Sequence, residues 1–249
     1  MSDTDLVEIG THGSSTRRIV LNRPEKRNAL TRGMYAALSE AIRDADADPS
    51  VTSVVISGEG KGFCAGNDLA DFLEDPPTGE DSPVFRFLTT LVEVRVPLIA
   101  AVHGNCVGIG ATMLLHCDLA VADETAVLSY PFVALGVVPE AASSLLLPRV
   151  AGARLAADLL LLGRPIAANA ALDAGLLTGI APAGGHVDAA NAIADRLARL
   201  PREAVRATRG LLHTADEAPA DRMRREATLF VERLASPEFQ ELARRALGR

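Results

Sequence analysis

The stretch Lys61-Gly-Phe-Cys-Ala-Gly-Asn-Asp-Leu69 follows closely on Val51-Thr-Ser-Val-Val-Ile-Ser57. The upstream run is short, apolar and β-branched, the pattern of a strand buried on both faces. The glycines after it end the strand in a turn whose backbone N–H groups can converge on one point. The arrangement returns once: Leu98-Ile-Ala-Ala-Val102 runs into His103-Gly-Asn-Cys-Val-Gly-Ile-Gly110. Two buried strands, each delivering a Gly-rich turn, imply neighbours in one largely parallel sheet.

Working outward, Thr16-Arg-Arg-Ile-Val-Leu21 reads as a further strand, paired with residues 6–10 across a turn at 10–15. Thr31 can cap a helix running to about residue 45, with Met34, Ala37, Leu38, Ala41 and Ile42 on one face. Asp48-Pro49 breaks it. The segment 75–83 is polar with three prolines and reads as an insertion, and residues 82–94 as a helix. A loop at 104–110 opens a helix to about residue 116, and short strands are expected at 119–122 and 127–129. Alternating strands and helices imply right-handed crossovers and an α/β sheet covered on both faces. Beyond Pro148, helical patterns dominate at 153–162, 167–174, 187–200, 201–213, 220–234 and 237–247. The expected division is a core over residues 1–190 and a helical region over 191–249.

Composition excludes several classes. With 25 basic and 32 acidic residues among 249, the formal charge is −7, which argues against binding nucleic acid through its phosphates. Three cysteines, Cys64, Cys106 and Cys117, make no disulfide framework, and residues 1–10 hold no apolar signal segment. Together with the ending Leu247-Gly-Arg249, which is no peroxisomal address, this reads as a cytoplasmic protein. Residues 96–117 lack formal charge but contain Pro97, Gly104, Asn105, Gly108, Gly110 and two histidines, so they read as core rather than a membrane span.

Common catalytic signatures are absent. Gly108-Ile-Gly-Ala-Thr-Met113 lacks the third small residue of a dinucleotide loop, and no G-x-S-x-G elbow, Walker loop, H-E-x-x-H or paired C-x-x-C occurs. The five histidines have no ligand spacing, so each reads as structural and no metal is expected. What remains is Pro131-Phe-Val-Ala-Leu-Gly-Val-Val-Pro-Glu140-Ala-Ala-Ser-Ser144, which brings one carboxylate into an apolar stretch. Two N–H donors and one carboxylate suit proton abstraction beside a thioester carbonyl: the donors hold the enolate oxygen and the carboxylate takes the proton.

These residues resemble a known family. Leu21-Asn-Arg-Pro-Glu-Lys-Arg-Asn-Ala-Leu30 is similar to the N-R-P-x-x-x-N-A-L motif of the crotonase superfamily, the enoyl-CoA hydratase/isomerase family. Phe63-Cys-Ala-Gly-Asn-Asp-Leu69, Val102-His-Gly104, Cys117-Asp118 and the segment 171–176 extend the likeness over nearly the whole chain. The resemblance implies a crotonase-like spiral of ββα turns and a helical C-terminal trimerisation region, giving a homotrimer or a dimer of trimers. It also implies a bent acyl-CoA pocket, with coenzyme A as part of the substrate and no separate cofactor. The family's oxyanion donors fall on the N–H groups of Asn67 and Ile109. Its substrate contacts fall at Arg27, Ala65, Gly66, Asp68, Leu69, Gly108 and Phe132.

Hydratases of the family use two glutamates, and those positions here hold Thr112 and Phe132, neither of which exchanges a proton at neutral pH. Val138-Pro-Glu-Ala-Ala-Ser-Ser144 instead resembles the P-E-G-C-S-S stretch of peroxisomal-type Δ3,Δ2-enoyl-CoA isomerases, with Ala141-Ala142 in place of Gly-Cys. In those enzymes the matching glutamate is the sole acid–base group. The resemblance therefore implies an isomerase with Glu140 as base, its pKa raised by Leu135, Val137 and Val138. The alternatives are another acyl-CoA reaction in the same pocket, such as hydration or thioester hydrolysis, and a non-catalytic acyl-CoA binder.

Overall fold

A computed structural model describes residues 6–213 and 217–246. The first and last few residues, on which the targeting expectations rest, lie outside this set, as does the Leu247 end of the last expected helix.

In chain order the strands are β1 (Val7–His12), β2 (Thr16–Leu21), β3 (Ser53–Gly58), β4 (Leu98–Val102), β5 (Asn105–Val107), β6 (Leu119–Asp123), β7 (Val127–Ser129), β8 (Ile166–Ala167) and β9 (Gly179–Ala181). The helices are α1 (Arg32–Ala47), α2 (Leu69–Glu74), α3 (Pro83–Glu93), α4 (Ile109–Thr112), α5 (Ser143–Ala151), α6 (Ala153–Leu162), α7 (Ala168–Asp173), α8 (His186–Ala198), α9 (Arg202–Leu212), α10 (Pro219–Leu234) and α11 (Pro237–Ala246). Six strands form one sheet in the order β1-β2-β3-β4-β6-β9, antiparallel only at β1–β2. A second sheet, β5-β7-β8, lies beside it.

The central strands are buried on both faces because their side chains alternate between two cores. Val54, Ile56, Leu98, Ala100 and Val102 join the main core with α1 and α3. Val55, Ile99 and Ala101 meet Ala190 and Ala194 of α8. Small alanines on α8 allow that close approach. This helix runs across residue 190, so the division expected there falls inside one packed element. The chain around Val96 to Cys117 is core, as its composition predicts. Among the described residues no helix is long and apolar enough to cross a membrane.

Several motif residues have structural work. Thr31 caps α1, its hydroxyl accepting from the Met34 N–H at 3.3 Å. Asn28 is buried with φ +59, and its amide nitrogen reaches the carbonyls of Glu59 and Gly62, both at 2.9 Å. It thereby ties the Asn-Arg-Pro segment to the first Gly-rich loop. Asp118 accepts from the Leu98 N–H and from Arg209 Nε, both at 2.8 Å, and so fastens α9 to the sheet. Helices α9 to α11 leave Leu212, Met223, Phe230, Val231, Phe239 and Leu242 exposed.

The structure departs from expectation at the second Gly-rich loop. The second Gly-rich stretch forms strand β5 before α4, then a 3-10 turn over Met113–His116, instead of one helix. Ala141 and Ala142 both adopt the left-handed conformation, φ +53 and +51. That conformation costs a non-glycine residue about 1–2 kcal/mol. Ala142 is exposed, so Ala142→Gly removes no packing. Allowing for the extra freedom glycine gives the unfolded chain, it is expected to raise stability by about 0.5–1 kcal/mol in urea titration.

Candidate active site

The two Gly-rich loops meet edge to edge. Cys64 N–H donates to the Asn105 carbonyl at 3.1 Å, and Val107 N–H returns to the Cys64 carbonyl at 2.8 Å. A side chain on Gly110 would meet Cys64 Cβ at 2.8 Å and its carbonyl at 2.9 Å, so the contact demands glycine. Gly66 has φ +95, and a Cβ there would lie 3.2 Å from the Val107 carbonyl.

This pairing selects which amides stay free. In the first loop Ala65 N–H donates to the Arg27 carbonyl at 2.9 Å, Gly66 N–H to Cys64 Sγ at 3.4 Å, and Asp68 N–H to the Leu30 carbonyl at 2.9 Å. The Asn67 N–H, between them, has no acceptor among the described residues. In the second loop Gly108 N–H donates to the Ser129 carbonyl at 3.0 Å, while Ala111 and Thr112 N–H both turn back to the Gly108 carbonyl. The Ile109 N–H is again left without an acceptor among the described residues. These donors belong to the two residues on which the family resemblance places the oxyanion contacts. A free N–H beside a cavity is a ready donor for a developing oxyanion.

A cavity of about 470 Å³ opens beside the loops. Its walls include Ala65, Gly66, Asn67 and Gly108 from the loops, Leu69 and Phe72 from α2, and Phe132. Glu140 also lines it and is the one ionisable side chain among its described lining residues. Burial pushes the Glu140 carboxyl up to about 7, an effect that the neighbouring Asn67 carboxamide opposes. Glu140 Oε1 is buried and has no hydrogen-bond partner among the described residues. An unpartnered oxygen on a half-ionised carboxyl is free to exchange a proton with a bound ligand. The backbone holds the residue in place: Ser143 donates to the Glu140 carbonyl through Oγ at 2.6 Å and N–H at 3.0 Å. His116, buried, binds the next carbonyl, Ala141, at 2.8 Å.

The other expected residues divide. Arg27 is exposed and does not line the cavity; its carbonyl anchors Ala65 at the cavity wall. Asp68 lies outside the cavity lining, caps α2 and pairs with Arg23 at 2.6 Å. Leu135, Val137 and Val138 do line the cavity, but each is more than half exposed, so they do not form a buried apolar shell around Glu140. Thr112 is fully buried and Phe132 is 5% exposed, and neither offers a carboxyl group. Sequence reasoning missed Tyr35, Cys64 and His116 as neighbours of the site, because each reads as ordinary core. Burial pushes the Cys64 thiol up to about 12, and Glu140 adds to that rise, so the thiol is neutral. Among the described residues no group of three or more His, Cys, Asp or Glu is placed to hold a metal ion.

The α/β architecture, with Asn67, Gly108 and the Glu140 carboxyl on one largely apolar cavity beside two Gly-rich loops, defines a protein of the crotonase fold. The chain belongs to the enoyl-CoA hydratase/isomerase family, whose model it matches over residues 11–245. A Thermus thermophilus protein bearing an enoyl-CoA hydratase name is 41% identical over 201 residues, spanning 78% of this chain and 79% of its own. The 1,2-epoxyphenylacetyl-CoA isomerase of Escherichia coli is 36% identical over 191 residues, 74% of this chain and 72% of its own. Among solved structures, a Magnetospirillum magneticum protein named for enoyl-CoA hydratase and carnithine racemase superposes with a TM-score of 0.94 at 38% identity. That match covers 100% of this chain and 98% of the other.

Proposed function

We propose that the chain is a Δ3,Δ2-enoyl-CoA isomerase that works with one acid–base group. The observation that carries this reading is that Glu140, with an unpartnered buried oxygen, is the one ionisable side chain lining the cavity among the described residues. In the mechanism, the thioester oxygen of a 3-enoyl-CoA lies between the N–H groups of Asn67 and Ile109. Glu140 carboxylate removes a proton from C2. The C2–H electron pair delocalises into a dienolate, whose oxygen the two N–H groups stabilise. The protonated Glu140 then returns the proton to C4, and the double bond comes to lie between C2 and C3. No water, oxidant or second acid is consumed. Hydration needs a second carboxyl partner to activate water, and Thr112 and Phe132 supply none.

The same reading includes acyl-CoA as the partner, coenzyme A as part of the substrate, a cytoplasmic location and a homotrimer or dimer of trimers. The exposed apolar side chains on α9 to α11 support self-association, and sedimentation distinguishes the two assemblies.

Only the ionised carboxyl accepts the C2 proton. With Glu140 at about 7, kcat/KM is expected to fall about tenfold per pH unit below pH 7 and to level off above it. A pH–rate profile of conjugation, followed by absorbance, checks this. A rate independent of pH from 5 to 9 excludes Glu140 as the base.

A further inference from the structure

We propose that Tyr35 is a positioning residue for the base: its hydroxyl, donating to Asn67 Oδ1, turns the Asn67 carboxamide so that its nitrogen faces the Glu140 carboxylate. Tyr35 lies on the buried face of α1 and has no exposed surface. Its ring stands edge-on to Phe87 of α3, with centroids 5.4 Å apart at 61°. The phenol is therefore fixed, and a buried hydroxyl needs an acceptor. Its partner is Asn67 Oδ1.

A carboxamide has one acceptor end and one donor end. With Oδ1 taken by Tyr35, the NH2 group is the end left to face the cavity wall that Asn67 shares with Glu140. The reverse orientation sets Oδ1 against a carboxylate and leaves the phenol without an acceptor, two penalties at once. Asn67 then serves two partners. Its main-chain N–H is free for the thioester oxygen, and its carboxamide, on the cavity wall it shares with Glu140, favours the ionised base.

The other titratable groups facing Glu140 are the Tyr35 phenol and the Cys64 thiol, both kept neutral by burial. No Lys, Arg or His among the described residues interacts with the carboxyl; His116 meets the neighbouring Ala141 carbonyl instead. The Tyr35–Asn67 pair is thus the device that favours the ionised, proton-accepting form against burial.

This inference rests on Glu140 being the base, but its test does not need turnover. In protein labelled with 13C at the glutamate carboxyls, the Glu140 signal is assigned by its loss in Glu140→Gln and titrated with pH. Tyr35→Phe keeps the ring and removes the hydroxyl, and Asn67→Ala keeps the main-chain N–H and removes the carboxamide. Each is expected to raise the Glu140 midpoint by about half a pH unit or more. Tyr35→Phe placed on Asn67→Ala is expected to add nothing, because the link is already cut. In the wild-type and Tyr35→Phe enzymes the pH–kcat/KM profile should move by the same interval, with kcat restored at high pH and acyl-CoA affinity unchanged. A lowered melting temperature with an unmoved midpoint makes Tyr35 merely structural and overturns the proposal. If Tyr35→Phe fails to fold, Asn67→Ala decides alone, and an unmoved midpoint there overturns it equally. If the wild type converts no 3-enoyl-CoA, the isomerase reading fails while the midpoints still decide the role of Tyr35.

Discussion

Glu140→Gln is expected to lower 3-enoyl-CoA isomerisation by about 10²–10⁴-fold or more, while the protein still binds acyl-CoA. The amide keeps the shape of the side chain and loses its basicity, and no second acid lines the cavity among the described residues to replace it. The same substitution is expected to stabilise the fold. Folding lifts the Glu140 carboxyl from its ordinary 4.5 to about 7. Between those values the folded chain holds a proton that the unfolded chain has released, so wild-type stability falls as pH rises through the interval. At 1.36 kcal/mol per pH unit, the ionised form costs about 3 kcal/mol above pH 7. Denaturation of the two proteins should therefore diverge from about pH 4.5 upward, with Glu140→Gln the more stable at pH 8. Equal stability at pH 8 would mean that burial does not disfavour the charge.

Gly108→Ala is the second large effect. Gly108 has φ 56 and ψ −120, a combination that glycine dominates. Its ψ sets the plane of the following peptide, and that peptide holds the Ile109 N–H. Alanine there costs about 1–3 kcal/mol if the backbone holds. If the backbone yields, the peptide rotates and the donor leaves its direction. A lost oxyanion donor lowers kcat by about 10²–10³-fold. Single-turnover kinetics should place the loss in the chemical step, with acyl-CoA affinity changed far less. Unchanged kcat with an unchanged melting temperature would remove Ile109 from the site.

The elements that the sequence discloses are those with a period or a strong punctuator. Strands β3 and β4 are continuous apolar runs, α1 has an apolar stripe behind a threonine cap, and the Gly-rich loops stand directly after buried strands. Strands β5, β8 and β9 span two or three residues, too few for any period to register. Helix α2 has no buried residue and follows from the Asp68 cap more than from any stripe. Ala141 and Ala142 are the opposite case: alanine favours helix, and the left-handed turn is imposed by its surroundings, including the His116 contact to the Ala141 carbonyl. Within the site, Glu140 is legible as a lone carboxylate in apolar sequence, whereas Asn67 and Ile109 are marked only by the family resemblance of their Gly-rich loops. Tyr35 is not, since a tyrosine on a helix's apolar face reads as core until its hydroxyl is seen to reach Asn67. The ion pair of Asp68 with Arg23, 45 positions away, is equally silent in the sequence, because no local pattern marks it.

The most direct measurement is incubation of the purified protein with cis- and trans-3-enoyl-CoAs of several lengths, following conjugation by absorbance and product mass together. The account predicts a rise in absorbance with no change in mass for at least one substrate, and its loss in Glu140→Gln. A product heavier by one water, release of free coenzyme A, or undiminished conversion by Glu140→Gln would contradict it.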